Sequence, residues 1–174
     1  MNTMKVMKNG LIAALLSCTA VAAWAQEMDA GEFINEASAK GIAEIETAKM
    51  ALETSEDKHI REFANWMIKD HTKVNEKMRE IAQQKNIEMA DDAGLLDQGK
   101  AMMLELRDGE DFNEAYINNQ VVAHEQTIEL FQRASRELDD EHEELHKLVE
   151  ETQPKLQEHH ARARQLQERM NARN

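Results

Sequence analysis

Residues 138–170 read LDDEHEELHKLVEETQPKLQEHHARARQLQERM. Along this stretch, mostly apolar residues recur at alternating spacings of three and four, which is typical of a helix buried along one face. The matching positions are Leu138, His142, Leu145, Val149, Thr152, Leu156, His159, Ala163, Leu166 and Met170. The pattern predicts a long helix that begins near Asp139 and packs against its neighbours along this row of residues, which we call its seam.

Three earlier segments carry shorter seams of the same kind. The first predicted helix runs from about Ala30 to Glu53, the second opens with Ser55 as its cap and continues to about Lys85, and the third starts near Asp111. Their seams are Ile34, Ala37, Gly41, Glu44, Ala48 and Ala51; Ile60, Ala64, Met67, His71, Val74, Met78 and Ile81; and Ile117, Val121, His124, Ile128 and Phe131. The composition favours helix and offers no candidate strand, so the fold class is predicted to be all-α.

The connections between these helices differ in length. The first and second helices, and the third and fourth, are joined by short links, whereas about 25 residues separate the second helix from the third. This long connection contains a short amphipathic piece with Leu95 and Leu104, which predicts a small extra helix. Two hairpins joined by one long crossover are the connectivity of a ferritin-like four-helix bundle.

The N-terminus has the layout of a secretory signal. Lys5 and Lys8 precede an apolar run, residues 11–23, which ends in the small-residue triplet at 23–25. We therefore expect residues 1–25 to be a signal peptide and residues 26–174 to form one exported domain, either periplasmic or associated with the outer membrane. Lipidation of Cys18 is an alternative. No later run approaches the roughly 18 apolar residues of a membrane span, so no transmembrane segment is expected in the mature chain.

The charge distribution bears on partners. The formal net charge is -13, and loss of Lys5 and Lys8 with the signal makes it -15, which argues against nucleic-acid binding. Residues 161–174 form a basic tail with four arginines against one glutamate. The tail is interpreted either as favourable cation placement at a helix C-terminus or as a docking segment for an anionic partner or a second copy of the chain. In the second interpretation, Leu166 and Met170 would be offered to that partner.

Several motifs resemble a known family. They are Phe33-Ile34-Asn35-Glu36-Ala37, Gly41-Ile42-Ala43-Glu44-Ile45-Glu46, Met67-Ile68-Lys69-Asp70-His71-Thr72-Lys73, Phe112-Asn113-Glu114-Ala115-Tyr116, His124-Glu125, and Pro154-Lys155-Leu156-Gln157-Glu158-His159. They resemble the exported bacterial family catalogued as domain of unknown function 4142 (DUF4142). Asn113 and Ala123 depart from that family, which usually has an acid at each position. The resemblance implies a secreted ferritin-like helical domain and brings no established activity.

An ionisable side chain of a metal-ligand type lies near the middle of each seam. These residues are Glu44, His71, His124 and His159, and together they are the candidate metal ligands, with iron, zinc or manganese as candidate ions. Counting along the helices places the first three nearly level. His159 lies roughly 12 Å higher at ~1.5 Å per residue, unless a kink at Pro154 brings it down.

The alternative is that each histidine is satisfied by an ordinary neighbour. Asp70 is the expected partner of His71, and Glu158 or a water is the expected partner of His159. The carboxylate-bridged di-iron pattern is also incomplete, because it needs Glu-x-x-His motifs. The residues three positions before the three histidines are Ile68, Val121 and Leu156, none of which binds iron. No catalytic constellation is recognisable, so the sequence leans against an enzyme.

Three functions stay open at this point. The first is a non-enzymatic exported domain that acts by binding or assembly at the cell envelope, in stress adaptation for example. The second is a metal-binding or metal-dependent redox bundle. The third is a chaperone-like or lipid-contacting protein.

Overall fold

The computed structural model describes residues 27–173. Five α-helices account for most of this part of the chain: α1 (Ala30–Thr54), α2 (Lys58–Lys85), α3 (Leu95–Glu105), α4 (Gly109–Glu137) and α5 (Glu143–Asn171). A short 3-10 turn at Asp140–His142 precedes α5. Residues 27–173 contain no strand, so the all-α prediction is confirmed. The segment interpreted as a signal peptide, with Cys18, lies outside the described residues.

The connection between α1 and α2 corrects the predicted cap. Ser55 was expected to open α2, but it ends α1 and its backbone N–H donates to the Ala51 carbonyl. Asp57 caps α2 instead, because its Oδ1 accepts from the backbone N–H of His59 at 2.7 Å and of Ile60 at 3.4 Å. A carboxylate at this position accepts hydrogen bonds from two amides of the first turn. Its negative charge also interacts favourably with the positive end of the helix dipole.

The four long helices pack side by side. α1 lies against α2 and α4, and α5 lies against the same two helices. The Met28 amide donates to the Glu137 carbonyl at 2.8 Å, so the start of α1 lies at the end of α4. Lys85 Nζ donates to the Glu141 carbonyl at 3.3 Å, so the end of α2 lies beside the start of α5. α2 and α4 therefore run in the same direction, and α3 lies in the long connection between them.

The seams predicted from the sequence form the interior of the molecule. Their apolar members fall into two separate clusters, one around Phe33, Met78 and Phe131 and the other around Phe63 and Tyr116. Between the clusters each long helix contributes a buried polar residue, and these four are Glu44, His71, His124 and His159. We call this level of the core the polar layer. It divides the hydrophobic interior into two halves.

The end of α5 packs into the core, whereas the sequence suggested that it is exposed to a partner. Leu166 is only 3 % exposed and Met170 only 8 %, so both belong to the second apolar cluster. Burial of a side chain of this size is worth about 1.5–3 kcal/mol, which favours the docked helix over a free end. Arg173 lies near two carboxylates, 3.4 Å from Asp57 and 3.5 Å from Glu110. The prediction that Leu166 and Met170 are offered to a partner is therefore wrong.

α3 is the least buried helix. It packs against α1 and α4 and buries Ala101 and Leu104, whereas Leu95, Met102 and Met103 on the same helix are exposed. None of the helices within residues 27–173 is both long enough and apolar enough to cross a membrane, as expected.

Candidate metal centre

Three helices bring their histidines to one point in the polar layer. His71 comes from α2, His124 from α4 and His159 from α5, and one ring nitrogen of each lies within 4.8 Å of the others. The ring centroids are 5.6 Å apart for His71 and His124, 5.5 Å for His71 and His159, and 5.4 Å for His124 and His159. We call this group the candidate metal centre. A tetrahedral ion bound at about 2.1 Å needs nitrogens about 3.4 Å apart, so small ring rotations would complete the site.

Each of these rings has a nitrogen that lacks a partner. His71 is 7 % exposed, and His124 and His159 are each 1 % exposed. Within the described residues, Nε2 of His71, Nε2 of His124 and Nδ1 of His159 have no hydrogen-bond partner. Leaving a buried polar atom unsatisfied costs about 1–3 kcal/mol, and here three adjacent residues each have such an atom. A shared cation would satisfy all three.

The other nitrogens of two rings are fixed by acceptors. Nδ1 of His124 lies 2.9 Å from the Gln120 carbonyl, and Nε2 of His159 lies 3.2 Å from Oδ2 of Asp70. A carbonyl or carboxylate oxygen can only accept, so both of these nitrogens carry the proton. The unpartnered nitrogen of each ring therefore holds a free lone pair. Metal-binding histidines are commonly held by such outer contacts.

Burial keeps the three rings neutral. It lowers the pKa of His71 well below its usual range, and the neighbouring rings of His124 and His159 lower it further. Burial also lowers the pKa of His124 to about 3. The pKa of His159 is lowered by burial too, although Asp70 opposes the shift. These lowered pKa values favour the neutral form of all three imidazoles at neutral pH, which is the form that binds metal.

Glu44, the fourth predicted ligand, lies in the polar layer but outside this group of three. It is 5 % exposed, and its Oε2 has no hydrogen-bond partner within residues 27–173. Burial raises the pKa of Glu44 to about 7, and the neighbouring Gln120 amide lowers it in part. The structure therefore brings together three of the four predicted residues and places the fourth beside them.

The expected height of His159 was wrong. His124 lies 13 residues before the end of α4, and His159 lies 16 residues after the start of α5. In an antiparallel hairpin, residues at nearly equal distances from the turn lie at the same height, and three residues amount to only about 4.5 Å. The predicted height of His159 was measured from a helix start near Asp139, whereas α5 begins at Glu143. No displacement at Pro154 is needed, and α5 continues through that residue.

The expected partners of the histidines were also wrong. Asp70 was assigned to the adjacent His71 but contacts His159 across the helix interface, while Glu158 is exposed. Sequence reasoning missed Trp66, whose Nε1 donates to Asp70 Oδ2 at 2.9 Å and whose ring lies 4.6 Å from that of His159. It also missed Gln120, although Gln120 lies one turn before His124 on the same face.

Comparison with known proteins gives one family. The family described as "Domain of unknown function (DUF4142)" matches residues 16–166. No curated protein and no solved structure matches the chain significantly.

Proposed function

The chain belongs to the DUF4142 family, and we propose that it is a metal-binding helical domain that holds one divalent transition-metal ion between His71, His124 and His159. The observation that supports this function is the set of three buried, unpartnered imidazole nitrogens contributed by three different helices. An ion shared by the three rings would give each of these buried nitrogens a partner.

The donor set favours particular ions. Neutral imidazole suits zinc, iron, copper and nickel, whereas magnesium, calcium and manganese prefer oxygen ligands. Of the three ions suggested by the sequence, zinc and iron fit this centre better than manganese. Three protein ligands leave a fourth position for water or a small ligand. The negative charge of Asp70, which contacts His159, would partly balance the positive charge of the ion.

The proposed function also includes a fold and a cellular location. We infer a ferritin-like bundle from the crossover between α2 and α4, with a single-ion centre in place of a carboxylate-bridged di-iron centre. An exported protein with such a centre would act in binding or buffering metal in the periplasm or at the outer membrane. We favour this role over assembly through the basic end of α5, because Leu166 and Met170 are buried.

The proposal is tested by metal analysis and titration calorimetry with Zn²⁺. We expect one ion per chain in the unchanged protein and loss of binding in His124→Ala. The matched control is His160→Ala, since His160 is adjacent to His159 but only half-buried, and it contacts Glu125 on the outside. Circular dichroism establishes that each variant is folded. Substoichiometric metal in the unchanged protein, or equal binding by folded His124→Ala, would falsify the proposal.

A further inference from the structure

A narrow cavity lies between α1, α3 and α4, at the level of Glu44 in the polar layer. Its lining includes Glu44, Thr47, Asp97, Lys100, Asn119 and Thr127. The cavity measures about 20 Å³, which is enough for one water molecule. These six side chains are polar, and Lys40, Ala43 and Ala123 also line the cavity, so its wall carries a second lysine and some apolar surface. The cavity is therefore a mainly polar opening at the level of Glu44, with both acidic and basic side chains in its wall.

Glu44 is a buried ionisable residue in the wall of this cavity. One of its carboxylate oxygens, Oε2, has no partner within the described part of the chain, although the residue is 5 % exposed. Lys100, the cation of α3 that lines the cavity, is paired with Asp97 at 2.7 Å and is not a direct partner of Glu44. A buried carboxylate with an unused oxygen is a ligand suited to a cation or to a water carried by one.

The cavity adjoins the turn of α4 that carries His124 of the candidate metal centre. Ala123, in the cavity wall, directly precedes His124. Gln120 is a neighbour of Glu44, and its carbonyl accepts the hydrogen bond from Nδ1 of His124. The three histidines are almost fully buried, so an ion needs a path to reach them. The wall of the cavity includes Ala123 but none of the three histidines, so an ion that enters here still has to pass the turn of α4 before His124.

We propose that Glu44 is the transient binding station through which a divalent cation passes to His71, His124 and His159, and that the Asp97–Lys100 pair on α3 covers this route. The inference rests on the proposed metal-binding function and adds the path of uptake. The Glu44 carboxylate replaces water molecules that the cation loses on leaving the solvent. Lys100 repels the incoming cation and must swing away before the cation reaches Glu44.

The test is a stopped-flow measurement of Co²⁺ binding, followed by the visible absorption of the cobalt–imidazole complex. At pH 8, where the Glu44 carboxyl is ionised, we expect Glu44→Gln to slow association by about tenfold or more, because the incoming ion loses its intermediate binding group. Dissociation should slow by a similar factor, because a route residue that is not a ligand acts in both directions. The dissociation constant then stays nearly the same. Glu46→Gln, an exposed change two residues further along α1, is the matched control and should leave the rates unchanged.

Lys100→Met tests the same route without altering the polar layer. Its side chain is 30 % exposed, and removal of its charge should speed association severalfold. If Glu44→Gln does not fold, the association rate of Lys100→Met tests the proposed route by itself.

An unchanged association rate in folded Glu44→Gln, or in Lys100→Met, contradicts the route. That result is expected if ions arrive directly at His71. Loss of affinity at an unchanged association rate makes Glu44 a ligand and also overturns the inference. Absence of Co²⁺ binding by the unchanged protein refutes the metal-binding function itself.

Discussion

The side chains of Asp70 and His159 meet across the interface of α2 and α5, with Oδ2 of Asp70 3.2 Å from Nε2 of His159. The same oxygen accepts a hydrogen bond from Nε1 of Trp66 at 2.9 Å. The carboxylate thus fixes the orientation of the ring and also holds an indole beside it. In metal-binding proteins such a contact raises the basicity of a histidine ligand and fixes the orientation of its other nitrogen, so Asp70 would do the same for His159 if an ion is bound there.

We expect Asp70→Asn to weaken Zn²⁺ binding by about 10–100-fold, because an amide orients His159 less well and supplies no negative charge. Titration calorimetry measures the affinity, and Trp66 fluorescence provides a second readout because its ring lies 4.6 Å from that of His159. Glu158→Gln is the control, since Glu158 is adjacent to His159 but exposed. Equal affinities in Asp70→Asn and the unchanged protein would show that Asp70 does not position the ligand.

Bound metal should raise the melting temperature. At a free Zn²⁺ concentration about 100 times the dissociation constant, linkage gives about 2.7 kcal/mol of stabilisation. For a chain of this size that corresponds to a rise of roughly 5–10 °C in calorimetry. His160→Ala should show the same rise, whereas His124→Ala should show none. A rise that persists in His124→Ala would place the ion elsewhere.

Glu44 should make the metal-free protein less stable as the pH rises. Burial raises its pKa from 4.5 to about 7, so between these values the folded protein holds a proton that the unfolded chain has released. Its contribution to stability is full below the unfolded pKa and is lost as the pH rises through about 7, a loss of about 2–3 kcal/mol between pH 5 and pH 8.

Urea unfolding in the presence of a chelator measures this loss. Glu44→Gln lacks the titrating proton, so its stability relative to the unchanged protein should increase by that amount from pH 5 to pH 8. The lowered pKa values of the three histidines act in the opposite direction, with stability lost as the pH falls below about 6.5. Comparison of the two proteins at each pH removes that common contribution. A constant difference between them would contradict a raised pKa for Glu44.

Gly41 should not tolerate alanine. A Cβ at this position would overlap the side-chain amide of Asn75, whose Nδ2 donates to the Ser38 carbonyl at 3.2 Å. We expect Gly41→Ala to lower the free energy of unfolding by about 1–3 kcal/mol, because the clash also breaks a buried hydrogen bond. Gly99→Ala on α3 meets nothing within 4 Å and should instead stabilise by about 0.5–1 kcal/mol. Chemical denaturation of both variants gives the comparison.

The buried faces of the helices were predictable from the sequence, because burial imposes a spacing of three and four residues that the order of apolar residues reveals. His71, Val74 and Met78 on α2 are buried as their spacing predicted. The caps were less predictable, since Ser55 and Asp57 are both capping residue types and lie two positions apart. Only the geometry of the first turn distinguishes them.

The cluster of three histidines was predictable in its residues but not in its geometry. The seams identified His71, His124 and His159, yet their meeting depends on how far one helix is shifted along another. That shift depends on the conformation of the turns that connect the helices. The spacing of apolar residues along a seam carries no information about those turns. The contact between Asp70 and His159 likewise depends on the packing of two helices that are distant in the sequence.

The division of the core by the polar layer has a consequence for how the helices find their register. If α5 slid by one turn against its neighbours, His159 would lie against apolar side chains while an apolar residue would face His71 and His124. A buried imidazole without a polar neighbour is costly, so the layer penalises such slipped arrangements. Apolar seams alone would tolerate them far better. The residues proposed to hold the ion therefore also select one alignment of the helices during folding.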